Sequence, residues 1–250
     1  MKPGLVPRAR ALGIWRLPRG RGGAAPALAF ALIVLAAGPA AQERQRHGRL
    51  FPPTDLGLLE GPDRDAWQQP GRIMDALGIG DGSVVADLGA GGGWFTIRLA
   101  RRVGPNGRVY AEDVQREMID AIERRVAREG LRNVRTIFGE DHDPKLPPNT
   151  LDAVLVVDAY HEVQNRVAFL RNVARALKPN GRLGIVDFRK DGYGPGPPME
   201  ERIDPAQVIA DAEAAGLRLV ASEDFLPFQF LLIFGRAAAA PPIRDTKEGR

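Results

Sequence analysis

The sequence predicts an α/β fold: a doubly wound, seven-stranded, mostly parallel sheet that ends in a C-terminal antiparallel hairpin. Three observations predict it. Short apolar strand patterns alternate with helical segments between residues 65 and 236. The strand interiors are apolar on both faces, which fits a parallel sheet covered by helices on each side. The last two strand patterns are separated only by the turn around Pro227, close enough to pair as a hairpin.

The elements follow in order. "RDAWQQPGRIMDAL" places Trp67, Ile73, Met74 and Leu77 at helical spacing, with Pro70 starting a second short helix. "SVVADL" is a short buried strand, and Phe95 to Arg102 is helical. The turn Gly104-Pro105-Asn106-Gly107 introduces the strand "GRVYAED". Glu117 to Arg128 is an amphipathic helix with Met118, Ile119, Ile122 and Val126 on one face. "NVRTIF" and the nearly continuous apolar "LDAVLVVDAY" are strands. Val167 to Leu177 is a helix stopped by "KPNG", and "GRLGIVDF" is the next strand. Asp204 caps a helix that opens with Pro205 and closes at Gly216. "LRLVASEDFL" and "FQFLLIFGR" form the closing hairpin.

Four parts are expected. Residues 1–41 read as a signal peptide or membrane anchor, 42–64 as a linker or arm, 65–236 as the folded domain and 237–250 as a disordered tail. The leader is basic, then apolar from Ala24 to Ala37, then small-residued around Gly38 and Ala40. That order suits secretion, and 14 apolar residues fall short of the roughly 20 that span a bilayer. The expected location is periplasmic or tethered to the inner membrane. A mis-assigned start would make the protein cytoplasmic.

Charge and composition exclude several functions. The chain carries +4, and the leader holds +6 with no acid, so residues 42–250 carry −2. The body therefore lacks the basic bulk charge that nucleic acid attracts. No cysteine is present, which excludes disulfides, thiolate metal sites and a cysteine nucleophile. The histidines stand in no metal-ligand spacing, and no metal is expected.

The chemistry centres on "ADLGAGGGWF". Four glycines in five positions, Gly89 and Gly91 to Gly93, follow a strand and precede a helix. At that junction the backbone can touch a ligand and the helix presents free N–H groups. A phosphate-binding loop needs Gly-Lys-Ser/Thr, whereas Gly93 is followed by Trp94 and Phe95. The dinucleotide spacing fails because Trp94 takes the place of its third glycine. What stands is D-x-G-x-G-x-G, formed by Asp87, Gly89, Gly91 and Gly93. Its acid repels a pyrophosphate and suits an ammonium group or ribose hydroxyls.

On "VVADLGAGGGWFT", "GRVYAEDVQREMI", "GEDHDPKLP", "VDAYHEV" and "LKPNGRL" the sequence resembles the class I S-adenosylmethionine-dependent methyltransferases, from about residue 65 to 236. The resemblance implies S-adenosyl-L-methionine as cofactor and a small-molecule methyl acceptor. It implies that the glycine loop and Asp87 meet the methionine part and that Asp113, rather than Glu112, holds the ribose. Glu140 and Asp141 are both candidates for the adenine amino group, with Asp141 preferred. Asp158 lies beside the reactive end of the cofactor. His161 is the candidate base, and Asp158, Tyr160 and Glu162 could orient it or bind substrate. The loop 189–202 could cover the acceptor. Two alternatives are a nicotinamide oxidoreductase and an exported, non-catalytic binding domain that keeps this fold.

Overall fold

The structure is a computed structural model that describes residues 50–191 and 193–237. The leader, the first part of the arm with His47, and most of the tail lie outside the described residues.

Seven strands form one sheet: β1 (Val84–Leu88), β2 (Arg108–Asp113), β3 (Val134–Phe138), β4 (Leu151–Val157), β5 (Leu177–Phe188), β6 (Leu217–Glu223) and β7 (Gln229–Arg236). Their order is β3-β2-β1-β4-β5-β7-β6. The first five are parallel, and β7 runs antiparallel to both β5 and β6. The predicted sheet and its closing hairpin are therefore both present.

Among the described residues six α-helices accompany it: α1 (Arg64–Gln68), α2 (Pro70–Ala76), α3 (Trp94–Val103), α4 (Arg116–Arg128), α5 (Arg166–Ala176) and α6 (Pro205–Ala214). One face buries Ile73 of α2, Leu77 just after it, and Leu99 and Val103 of α3 against Val85, Val109, Leu155 and Ile233. Ile119 and Ile122 of α4 pack beside them on Ala111. The other face buries Leu170 and Val173 of α5 and Val208 and Ala212 of α6 against Val154, Ile185 and Phe234. Successive strand residues thus serve opposite cores, which explains strands that are apolar throughout.

Local chemistry fixes several boundaries. Asp204 Oδ1 accepts from the Ala206 amide at 2.8 Å and caps α6 as expected. The "KPNG" stop is absorbed differently: it lies inside β5, whose pairing with β4 jumps between Leu151 and Ala153. A bulge lets Pro179, which has no N–H to give, sit within a long strand. The strand "LDAVLVVDAY" ends three residues early, at Val157. Asp158 takes φ +56°, and a 3-10 turn, Tyr160–Glu162, follows. The same helical departure buries Tyr160, whose hydroxyl lies 3.2 Å from Asp211 Oδ2.

The arm is also structured. Pro53–Glu60 forms a 3-10 helix. Glu60 pairs with Arg125 of α4, and Arg125 Nη1 donates to the Gly92 carbonyl at 3.0 Å. Phe51 is held between Glu162, which accepts from its amide at 3.3 Å, and Gln115, which donates to its carbonyl at 3.0 Å.

The central and edge strands should differ in their tolerance of truncation. Leu155 is fully buried in β4, while Leu219 of edge strand β6 is 37% exposed. Leu155→Ala should lower unfolding stability by about 2–5 kcal/mol and Leu219→Ala by much less. Urea melts of the two variants check this.

Candidate functional site

The parallel strands end together along one edge of the sheet, where the order reverses between β1 and β4. Such a switch point opens a crevice. Here it is a cleft of about 860 Å³. Asp87, Gly89, Gly91, Glu112, Asp113, Glu140, Asp141, Asp158 and His161 all line it. The topology therefore brings together almost every residue singled out in the sequence. Gly93 caps α3 from φ +78° immediately behind the loop. Tyr160 points into the core instead.

The glycine loop is shaped by contact. Gly89 has φ +63°, and a Cβ there would lie 2.5 Å from the Ala159 methyl. Any larger residue would drive the β1 loop off the β4 loop. Asp87 accepts from Thr96 Oγ1 of α3 at 2.6 Å, which ties strand to helix. Asp113 accepts from the Gly91 amide and the Gln115 amide, each at 2.9 Å. It thereby fixes the glycine loop to the turn after β2.

Glu112 is buried beside it, and its Oε1 has no hydrogen-bond partner among the described residues. Gly139 makes room for it, since a Cβ there would clash directly with Glu112 Oε1. Burial lifts the Glu112 pKa to about 8, helped by the neighbouring Asp113. Burial also lifts Asp87 to about 6 against the Thr96 bond. At the rim Glu140 is exposed and paired with Lys145 at 2.8 Å.

At the other end Asp158 faces Arg64 of α1. Arg64 Nη2 lies 3.2 Å from Asp158 Oδ2, and Gln229 Nε2 donates to Asp158 Oδ1. Gln68 Nε2 donates to Gln229 Oε1 at 2.8 Å and closes the network. Burial raises the Asp158 pKa to about 7, with Arg64 opposing.

His161 is the second focus. Its Nδ1 lies 3.0 Å from both carboxylate oxygens of Asp187, the penultimate residue of β5. Asp187 is fully buried and also accepts from the His161 and Phe188 amides at 3.0 and 2.8 Å. A carboxylate only accepts, so Nδ1 carries the hydrogen and Nε2 is the basic nitrogen of the neutral ring. Glu162 Oε1 stands 3.8 Å from Nε2. Burial alone would disfavour the charged ring, but Asp187, with Glu162 and Asp158, outweighs it and raises the His161 pKa. Sequence reasoning missed Asp187. Its signal was an acid closing an apolar strand, the same pattern that picked out Asp87 and Asp113.

Fold and cleft together define the class of α/β proteins that bind a ligand at the sheet's switch point. A methyltransferase-domain family model matches residues 85–181. The chain is 34% identical over 123 residues to the ubiquinone/menaquinone biosynthesis C-methyltransferase UbiE of Pasteurella multocida, covering 47% of this chain and 44% of that protein. It is 35% identical over 120 residues to the protein of the same name from Hydrogenovibrio crunogenus, covering 48% and 47%. The chain thus spans a little under half the length of the curated relatives it matches. A solved SAM-dependent methyltransferase from Aquifex aeolicus aligns with TM-score 0.70 and 32% identity over 74% of this chain and 98% of that one. The chain belongs to the S-adenosylmethionine-dependent methyltransferase family, a family of enzymes, and S-adenosyl-L-methionine is its cofactor.

The residues present fit that cofactor. Its sulfonium and ammonium groups are cations, and the cleft offers buried acids with raised pKa values to receive them. The unpartnered Glu112 Oε1 is a further acceptor in the same wall.

Because Asp87, Glu112 and Asp158 have folded-state pKa values above their unfolded ones, the folded state holds extra protons. Stability should therefore fall as pH rises from about 4 through 8. The raised His161 pKa acts in the same direction, since its contribution is lost as pH rises through the folded value. The ligand-free protein should melt at a lower temperature at pH 8 than at pH 5.5, and Glu112→Gln should reduce that fall. A melting temperature that does not change over this range would contradict the arrangement.

Proposed function

We propose that this protein transfers a methyl group to a small molecule whose accepting atom carries a removable proton, with His161 as the base. The observation that supports it is the His161–Asp187 pair, whose basic nitrogen belongs to a residue lining the cleft. The cofactor supplies an electrophilic methyl group on sulfur. Displacement at that carbon needs an aligned nucleophile with its electron pair free.

In this reading the acceptor's proton passes to His161 Nε2. With the cofactor bound, the freed pair would form the bond to the methyl carbon and the carbon–sulfur pair would leave with sulfur. Asp187 holds the imidazole by Nδ1 and stabilises the imidazolium. Asp113, already fixing the glycine loop, holds the ribose hydroxyls with its remaining lone pairs. Asp87 orients the cofactor's amino group, and Glu140 or Asp141 meets the adenine. Asp158 and Arg64 close the reactive end.

Two variants separate cofactor binding from proton removal. Asp113→Ala should weaken S-adenosylhomocysteine binding at least roughly tenfold, since a charge-assisted bond contributes about 1.5–3 kcal/mol. His161→Gln should leave that binding intact and lower kcat by about 10²-fold or more. The wild-type kcat should rise with pH to a plateau above the His161 pKa, because the neutral ring is the base. Asp187→Asn should move this limb to lower pH while lowering the plateau. A His161→Gln enzyme with unchanged kcat would remove the base from the mechanism.

We also propose export, on the basic, apolar and small-residue order of residues 1–41. N-terminal sequencing of protein from fractionated cells should find a mature end near Ala41. An intact Met1 on a soluble cytoplasmic species would refute it.

A further inference from the structure

The cleft has two halves. The residues assigned to the nucleoside and amino acid parts of the cofactor lie at or after the ends of β1, β2 and β3. The other half is walled by α1, by the segment after β4, by the end of β5 and the loop that follows it, and by Phe228 just before β7. Three aromatic rings meet there. The Trp67 ring centroid lies 6.1 Å from that of Phe188 and 6.0 Å from that of Phe228, in tilted and edge-on contact. Phe188 is buried, while Trp67 and Phe228 are half-buried cleft residues. Such rings give a flat apolar ligand surface to stack on and edges to meet.

The loop after β5 completes this wall. Pro195 to Pro198 line the cleft. Gly196 has φ +111°, and a Cβ there would fall 2.6 Å from the Phe188 ring, so the backbone lies directly on the aromatic face. Arg202 fixes the loop by donating to the carbonyls of Arg189, Pro197 and Pro195 at 2.7, 3.0 and 3.3 Å. This is a built surface rather than a plain connector.

Charge narrows the ligand further. Among the described residues, Arg64 is the one Lys or Arg side chain in the cleft lining. Its groups are engaged: Nε donates to Gln68 at 2.8 Å, Nη1 to the Leu59 carbonyl at 2.5 Å and Nη2 to Asp158 at 3.2 Å. It also stacks 4.2 Å from the Trp94 ring centroid. Asp55, Glu162 and Glu201 add negative charge around the opening. From the described side chains, a carboxylate or phosphate acceptor would meet acids and no uncommitted cation. A cationic acceptor would sit against His161 as that ring takes up its own proton. A neutral acceptor escapes both costs.

We propose that Trp67, Phe188, Phe228 and the Pro195–Pro198 loop form an acceptor subsite for a neutral, planar, apolar molecule bearing a weakly acidic hydroxyl, with the hydroxyl directed to His161. This names the acceptor class for the reading above and rests on it. In the transfer the O–H bond would break and its proton go to Nε2; the electron pair left on the acceptor would make the new bond to the methyl carbon as the carbon–sulfur bond breaks and its pair leaves on the sulfur of S-adenosylhomocysteine.

Isothermal titration of the full chain, saturated with S-adenosylhomocysteine, tests it with three probes of one shape: 4-butylphenol, 4-butylbenzoate and 4-butylbenzylamine. The phenol should bind, and the benzoate should bind at least about tenfold more weakly. Phe228→Ala and Trp67→Ala should each weaken phenol binding about tenfold, with Phe228→Leu intermediate. All three variants should keep wild-type affinity for S-adenosylhomocysteine, which also reports that they are folded. Benzoate or benzylamine binding as tightly as the phenol, no phenol binding, or phenol binding unaffected by both alanine variants would overturn the subsite. Failure to bind S-adenosylhomocysteine at all would instead overturn the proposed methyl transfer.

Discussion

Four adjacent parallel strands each deliver an acid at or just past their carboxyl ends: Asp113 on β2, Asp87 on β1 and Asp187 on β5 are buried, and Asp158 after β4 is half-buried. A row of carboxylates in so little water is unstable by itself. Each therefore has a dedicated partner, and those partners organise the site. Thr96 holds Asp87 to α3. Two loop amides hold Asp113. Arg64 and Gln229 hold Asp158. His161 answers Asp187. The positions of the glycine loop, α1 and the 3-10 turn after β4 all follow from satisfying this row.

The same row explains why the cleft accepts a cationic cofactor without a basic patch of its own. Local negative charge, held in place by dedicated donors, is preorganised to receive positive charge. It also explains the arm. Residues 50–61 reach the glycine loop, the turn after β2 and the turn after β4 through Arg125, Gln115 and Glu162. They line the cofactor half of the cleft and restrict the access of water that would screen the acids. In the sequence this segment shows no periodicity, because a 3-10 helix with no buried residue needs no amphipathic stripe.

What the sequence revealed depended on the range of the interactions. Strand and helix identities rest on local apolar spacing, so the sheet and its hairpin were legible. Asp87, Asp113 and the glycines were legible because one strand-loop-helix unit carries them. Asp187 was overlooked although it repeats the pattern of an acid closing an apolar strand, because its role depends on His161, 26 residues away. Arg64, Gln68 and Gln229 left no local signal at all. Their network joins residues 161 positions apart, and only the sheet order brings them together. The early end of β4 was missed for a related reason: Asp158 turns away at positive φ to reach Arg64, and an apolar run cannot announce that turn.

This difference in range bears on the acceptor. The segment shared with the methyltransferase-domain family, residues 85–181, contains Asp87, the glycine loop, Asp113, Asp158 and His161. Trp67, Asp187, Phe188, Gly196 and Phe228 all fall outside it. The family-model match therefore covers the residues proposed for the cofactor and leaves out those proposed for the acceptor. Likeness within 85–181 says how a methyl group is presented, and it says little about what receives it. The acceptor must be inferred from the flanking segments: three aromatic rings, a proline-glycine wall and an arginine with its donors engaged. Those features select against charge more sharply than they select for shape, so the acceptor is defined first by what the cleft would reject.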